Sequence, residues 1–249
     1  MIFIFDTSWR MCYTLLVGKH IGEKHMKEIK KQYNQFASIY SDGRRGNEPS
    51  IKHFGEVLKG IDFQCKKVLD VGCGAGQELV EYERRGAEST YGIDSSDEMI
   101  QLSKVTSPRS VLHVGNMEEL PYGDAEFDLV LSKYAIQTSE DVPGVLKEIA
   151  RVLKPGGTLL YLSKHPFRQF MEKPEEGRDY FVQEVVTSRI FGGTIVLQEP
   201  SHTIGEYFSA EFYRNFAPEL YEEESDFPAS EQIGNQKYPC YFIVQAVRR

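Results

Sequence analysis

Three glycines and two aspartates are spaced so that they can form a ligand-binding turn. Gly72, Gly74 and Gly76 follow a short apolar run that ends near Asp70. Glycine tolerates positive φ and lets a ligand approach the backbone closely, and a following helix would offer free N–H groups. Asp94 lies 20 residues after Gly74, where a carboxylate suits both hydroxyls of a ribose. The pattern predicts a site for a nucleoside-containing ligand.

The glycine spacing and the preceding acid favour one kind of nucleoside ligand. A dinucleotide fingerprint has the spacing G-x-G-x-x-G, whereas this chain has G-x-G-x-G, with Gln77 at the position of the last glycine. The carboxylate of Asp70 would repel a pyrophosphate but attract an ammonium or sulfonium group. The residues favour an adenosyl amino acid, and an NAD-dependent oxidoreductase is the alternative.

A parallel sheet is needed to position these residues. Short apolar strands alternate with helical segments along the chain, which predicts βαβ units in a doubly wound, mainly parallel α/β sheet. Such sheets bind ligands at the carboxyl ends of their strands, where Asp70 and Asp94 fall. The predicted strands are 68–70, 89–94, 110–114, 127–131, 158–162 and 241–247, and the predicted helices between them are 77–85, 97–105 and 142–153.

Two segments depart from this alternation. Residues 26–60 predict one or two helices with a break at 41–43 and one apolar stripe. Residues 164–204 follow the fifth strand and contain a hairpin signal at 191–193. Long insertions in compact domains are usually lids or binding loops, so both segments are predicted to cover the carboxyl ends of the strands. The elements predicted in and after the insertion are strands 181–190 and 194–198 and a helix over 204–216.

The predicted domain organisation has three parts. Residues 1–25 form a non-native or disordered extension, 26–60 form an N-terminal helical cap, and 61–249 form the sheet domain with insertion 164–204. The first part lacks a clean helical or strand period, and codons for Gly22-Glu23 can be purine-rich at ribosome-binding distance before the codon of Met26. We therefore expect Met26 to be the native start.

Composition limits the classes of function. The 249 residues carry a net charge of −8, with 41% hydrophobic and 27% charged residues, and have no basic tract or membrane-length apolar run. This balance is typical of a globular protein and unsuited to broad phosphate-backbone binding. The four cysteines are scattered without CxxC spacing, which predicts no metal site and suits a reducing cytoplasm.

Four segments in order resemble the class I S-adenosylmethionine-dependent methyltransferases, in particular the small-molecule group that includes the quinone-biosynthesis methyltransferases. This resemblance implies a seven-stranded Rossmann-like sheet, S-adenosyl-L-methionine as cofactor, and methyl transfer to a small-molecule acceptor by in-line displacement. The matching segments are VLDVGCGAG (68–76), YGIDSSDEMI (91–100), GNMEELPYGDAEFDLVLSKYAIQ (115–137) and LKEIARVLKPGGTLL (146–160).

The resemblance also implies roles for individual residues. The methionine part of the cofactor would lie against the glycine turn with Cys73, near Asp70 and Ser132. Asp94 would accept from the ribose hydroxyls, and the adenine would lie between two pairs of residues, Ser95 with Met99 and Asn116 with Met117. Relatives often have Asp where this chain has Asn116, so the contact with the adenine amino group would lack charge assistance.

The acceptor side is less defined by sequence. Candidate acceptor contacts are Tyr33, Tyr40, Tyr134 and His165, and no catalytic residue is assigned. The segment after the fourth strand is Ser-Lys-Tyr-Ala (132–135), which lacks the Asn/Asp-Pro-Pro-aromatic motif of amino-group methylation on adenine or glutamine. With the acidic charge, this favours a small metabolite over nucleic acid. A non-catalytic protein that binds S-adenosylmethionine is a further alternative.

Overall fold

A seven-stranded sheet forms the centre of the molecule. The computed structural model describes residues 27–37, 39, 48–190, 195–228, 230 and 232–249. The sheet order is β3-β2-β1-β4-β5-β9-β8; the first five strands in this order are parallel, and β9 is antiparallel to both neighbours. Its strands are β1 (Lys67–Val71), β2 (Ser89–Asp94), β3 (Val111–Val114), β4 (Phe127–Lys133), β5 (Leu153–Lys164), β8 (Phe216–Glu224) and β9 (Tyr241–Arg248). The predicted doubly wound, mainly parallel sheet is confirmed.

Helices cover both faces of this sheet. Side chains alternate between faces along a strand, so Val68 of β1 packs in one core cluster with Phe54 and Tyr82, while Leu69 packs in the other with Val145 and Phe212. The described helices are α1 (27–37), α2 (Pro49–Leu58), α3 (Gln77–Arg84), α4 (Asp97–Thr106), α5 (Val142–Val152), α6 (Pro166–Glu172), α7 (Ile204–Tyr207) and α8 (Ala210–Asn215).

The sequence prediction was wrong in two places on this scaffold. The helix expected over 204–216 is two short helices, α7 and α8, and the edge strand β8 after them was missed. The stretch Lys154-Pro-Gly-Gly157, which lies between the predicted helix 142–153 and the predicted strand 158–162, is part of β5, where the pairing with β4 shifts register. Gly156 has φ +77° there, so these turn-favouring residues cause an irregularity within the strand and do not end it.

The insertion forms a separate antiparallel hairpin of β6 (Val185–Ile190) and β7 (Ile195–Pro200). The hairpin turn at 191–193 and the helix break at 41–43 lie outside the described residues, as do Tyr40 and residues 1–26. The side-chain amide of Gln32 in α1 accepts a hydrogen bond from the backbone N–H of Gln198, at 2.7 Å. Ile195 and Leu197 pack in one cluster with residues of α1. The cap and the hairpin are therefore in direct contact.

Candidate functional site

The three glycines between β1 and α3 have positive φ but meet different surroundings. A side chain at Gly72 would clash with Ala135, and one at Gly76 would clash with Ser103 of α4. At Gly74, with φ +53°, a Cβ would meet no atom within 4 Å. Two of the glycines thus permit close packing, while Gly74 leaves open space beside the backbone.

Asp94 fixes this turn from the end of β2. One carboxylate oxygen accepts the backbone N–H of Gly74 at 2.9 Å, and the other accepts the N–H of Ser96 at 2.9 Å. The hydroxyl of Ser96 in turn caps α4 by accepting the N–H of Met99 at 3.1 Å. These two contacts hold the Asp94 carboxylate in place beside the glycine turn.

Asp70 is a buried carboxyl beneath the glycine turn. Only 2% of its surface is exposed. Burial raises the pKa of Asp70 to about 7, the charge of Asp94 adds to that rise, and the Lys133 ammonium opposes it. Lys133 is itself in contact with Glu78 of α3 and reaches the wall of the adjoining cavity.

A cavity of about 570 Å³ extends from the glycine turn to α1 and the hairpin, and the end lined by these two elements is called the lid end. Its volume lies within the range of small-molecule sites. Of the residues predicted from sequence, it brings together those of the turn, the ends of β2 and β3, and two tyrosines. These are Tyr33, Gly72, Gly74, Asp94, Ser95, Met99, Asn116, Met117 and Tyr134.

Several predicted site residues do not line the cavity. Asp70 and Gly76 lie behind the turn. The hydroxyl of Ser132 donates to the Val71 carbonyl at 2.8 Å, so it links two strands. Cys73 is buried, and its sulfur lies 2.8 Å from the position that a Cβ on Gly92 would take. The structure therefore gives these residues supporting contacts beneath the cavity.

His165 corrects an expectation about the acceptor side. It does not line the cavity, because its ring caps α6 and pairs with the edge strand β8. Nδ1 accepts the N–H of Phe167 at 3.0 Å, and Nε2 lies 2.9 Å from the Glu223 carboxylate. Burial lowers the pKa of His165, against the opposing effect of Glu223.

Sequence analysis missed a group of charged side chains at the lid end of the cavity. The Lys164 ammonium lies 2.6 Å from the carboxylate of Glu199 and 3.0 Å from that of Glu172. Arg168 and Asp226 also line this wall. One signal was present in the sequence: along 195–199 the inward positions alternate, so Glu199 shares a face with Ile195 and Leu197.

The described residues set two further boundaries on the site. No group of three or more His, Cys, Asp or Glu among them is arranged to hold a metal ion. Within the same ranges, none of the helices has both the length and the apolar character needed to cross a membrane.

The sheet order, the glycine turn and the carboxylate after β2 together define a class of enzyme fold. Residues 69–161 match the family model described as "Methyltransferase domain". This match agrees with the resemblance to the class I S-adenosylmethionine-dependent methyltransferases that the sequence segments indicated.

Relatives and solved structures agree with this class. The chain is 31% identical over 160 residues to a malonyl-[acyl-carrier protein] O-methyltransferase of Erwinia pyrifoliae, covering 64% of this chain and 56% of that protein. It is 33% identical over 159 residues to a demethylmenaquinone methyltransferase of Tropheryma whipplei, covering 59% and 64%. A methyltransferase structure from Mesorhizobium loti has a TM-score of 0.66 at 22% identity, covering 80% and 97%. The chain spans between half and two thirds of the length of these curated relatives.

Proposed function

We propose that this chain is an enzyme that transfers the methyl group of S-adenosyl-L-methionine to a small-molecule acceptor by in-line displacement. The observation that carries the proposal is the open space beside Gly74, bounded by the Asp94 carboxylate and continuous with the cavity beneath the lid. One end of the cavity thus suits a nucleoside and the other end is free for an acceptor.

The residues present fit the cofactor at that end. Gly74 leaves room for a ligand next to the backbone, and the Asp94 carboxylate lines the same cavity, where an acceptor suits the ribose hydroxyls. Met99 and Met117 line the cavity near Asp94, where polarizable thioethers can pack against an adenine. Lys133, at the wall of the cavity, supplies a positive charge for the α-carboxylate.

The protein's contribution to the reaction is alignment and exclusion of water. When bound, the cofactor supplies an electrophilic methyl group on a sulfonium. The glycine turn and Asp94 fix the donor end, while residues after β4 and those of the lid orient the acceptor on the opposite side. Contact between α1 and the hairpin, through Gln32 and Gln198, covers the cavity and reduces access of water.

The acceptor, location and lid assignment are parts of the same proposal. The acceptor is a small metabolite and not a nucleic acid, which the acidic composition supports. A cytoplasmic location is supported by the scattered cysteines. The cap 26–60 and insertion 164–204 act as one lid on the sheet domain, which their contacts support.

Two measurements test the proposed function. Calorimetry with S-adenosylmethionine should show one site, and NADH under the same conditions should show none. Labelled S-adenosylmethionine mixed with host extract should then yield a labelled small product detected by mass spectrometry. Tight NADH binding would support the oxidoreductase alternative, and cofactor binding without any labelled product would support a non-catalytic binding protein.

A further inference from the structure

Arg168 is a buried cation with unused hydrogen-bond donors. Its side chain is 10% exposed and lines the cavity. Nε–H donates to Glu172 at 3.2 Å, and one Nη2–H donates to the Arg189 carbonyl at 3.4 Å. Within the described part of the chain, no acceptor lies within hydrogen-bond distance of Nη1. Because this side of the guanidinium lines the cavity, its donors are placed to bind a ligand there.

The position of the guanidinium is set by two contacts. Glu172 holds its Nε side, and the Phe227 ring lies 5.1 Å from the guanidinium carbon, in a cation–π arrangement. Arg168 therefore presents its Nη side in a fixed orientation.

An acceptor of hydrogen bonds lies next to these donors. Oδ2 of Asp226 is 3.9 Å from Nη1 of Arg168, which is too far for a hydrogen bond between them. Oδ2 accepts the Tyr134 hydroxyl at 3.2 Å, and Oδ1 accepts the N–H of Ser50 at 3.1 Å. Each oxygen keeps one lone-pair site, so the wall offers a donor and an acceptor side by side.

The charge of this wall argues against an anionic ligand. Two cationic side chains, Lys164 and Arg168, contact three carboxylates. Arg189 and Glu48, which also line the cavity, add one positive and one negative charge. A ligand carboxylate at Arg168 would also lie beside Asp226 and be repelled. The charged contacts in question are Lys164 with Glu172 and Glu199, and Arg168 with Glu172 and Asp226.

We infer that the methyl acceptor is a small, neutral, planar molecule with a lactam edge, whose carbonyl accepts from Arg168 and whose N–H donates to Asp226. A lactam has an acceptor and a donor on adjacent atoms, which matches this pair. The rings of Phe227 and Tyr134 provide flat walls beside it. The inference rests on the proposed function and names the acceptor class for the same cavity.

The first test uses ligands and the unmodified protein. 2-Quinolinone, N-methyl-2-quinolinone and quinoline-2-carboxylate are titrated by ligand-observed NMR into protein saturated with S-adenosylhomocysteine, whose own affinity is measured by calorimetry. We expect 2-quinolinone to bind about tenfold more tightly than either analogue, which lacks the N–H or adds a charge. Tighter binding of the carboxylate, or equal binding of all three, overturns the inference.

The second test uses variants with distinguishable signatures. Arg168→Lys should weaken 2-quinolinone and its N-methyl analogue alike, by about tenfold, because both lose the carbonyl contact. Asp226→Ala removes both carboxylate oxygens that could accept the lactam N–H, so it should reduce the preference for 2-quinolinone over the N-methyl analogue towards one. Arg178→Lys is the matched control, since Arg178 stacks on Phe170 away from the cavity, and should change neither affinity.

These outcomes separate the two proposals. Loss of S-adenosylhomocysteine binding in the unmodified protein contradicts the proposed function. Intact S-adenosylhomocysteine binding with no selectivity for the lactam contradicts only the inference about the acceptor. Retained affinity for S-adenosylhomocysteine in the variants shows that they are folded, and unchanged lactam selectivity in folded Asp226→Ala overturns the role of Asp226.

Discussion

The two ends of the cavity are built in different ways. The end at the glycine turn is formed by consecutive residues after β1 and by Asp94 after β2, and its geometry depends on backbone conformation. The lid end is formed by side chains from β5, α6, the hairpin and the segment after β8. This contrast shows how a general donor site and a specific acceptor site can share one cavity while having independent structural supports.

The largest expected effect comes from a single substitution at Gly74, which lies at the cofactor end of the cavity. Gly74→Val should abolish S-adenosylmethionine binding in calorimetry, because the side chain would fill open space and resist a φ of +53°. Gly156→Val is the control: Gly156 also has positive φ and open surroundings, but lies in β5 away from the cavity. It should lower stability by about 1–2 kcal/mol and leave binding intact. Equal affinity in folded Gly74→Val would contradict the donor-site assignment.

Removing the hairpin should do the opposite: it should abolish methyl transfer and leave cofactor binding largely intact. Val185–Pro200 can be deleted and Glu184 joined to Ser201 through two glycines. The cofactor affinity of this variant should stay within about tenfold of that of the parent, because the cofactor would lose only a few peripheral contacts. Methyl transfer, assayed as labelled product from host extract, should be lost. The acceptor end of the cavity would lack Glu199 and the hairpin that covers it. Persistent transfer would move acceptor specificity to the N-terminal helices.

A smaller effect is expected at the ribose carboxylate. Asp94→Ala should weaken S-adenosylmethionine binding by about 30- to 150-fold, since it removes two charge-assisted hydrogen bonds worth roughly 2–3 kcal/mol in total. Asp97→Ala, in the first turn of α4, removes an ion pair with Lys30 and should change affinity by less than about threefold. If calorimetry gives the two variants equal affinities, Asp94 has only its structural role.

The smallest effect concerns pH. The native pKa of Asp70 is raised from 3.8 to about 7, so the folded protein holds a proton that the unfolded chain has released. Stability is therefore lost as pH rises through this interval, by on the order of 1 kcal/mol between pH 6 and 8. Urea unfolding of Asp70→Asn should lack this loss, so the variant should gain stability relative to the parent as pH rises.

The lid end provides the control for this pH effect. Burial would raise the pKa of Glu199, but Lys164 and the Ser188 hydroxyl hold it below its ordinary value. The ionised Glu199 carboxylate therefore stabilises the fold at every pH above the ordinary pKa of Glu, and this stabilisation is lost only in acid. Glu199→Gln should therefore lower stability by the same amount at pH 6 and pH 8. A parallel pH profile for parent and Asp70→Asn would show that Asp70 is ionised throughout.

The same contrast explains what the sequence could predict. Strands β1 to β5 and the placement of Gly74 and Asp94 follow from local apolar runs, turn residues and their order, so they were found. β8 was missed because it is an edge strand with exposed glutamates and with Pro218 at a register shift. Its apolar signal is therefore weak, as expected where one edge lacks a partner.

The acceptor wall was missed for a different reason. Arg168 and Asp226 are 58 residues apart in sequence, and each is unremarkable among its neighbours. Only the packing of α6 against the segment after β8 makes them a pair. His165 shows the reverse error: its position after the fifth strand suggested an acceptor contact, but the ring is used by the helix cap and by Glu223.

The hairpin enters and leaves the fold at one point. The N–H of Ser201 donates to the carbonyl of Glu184 at 2.7 Å, and the N–H of Glu184 donates to the Ser201 hydroxyl at 3.0 Å. Loops with adjacent ends tolerate changes in length at small entropic cost. Evolution can therefore lengthen, shorten or exchange this segment without disturbing the seven-stranded sheet. The paired residues Glu184 and Ser201 make the hairpin a suitable position for grafting segments from relatives. On the proposed function, such grafts would change the range of methyl acceptors and leave the cofactor site unchanged.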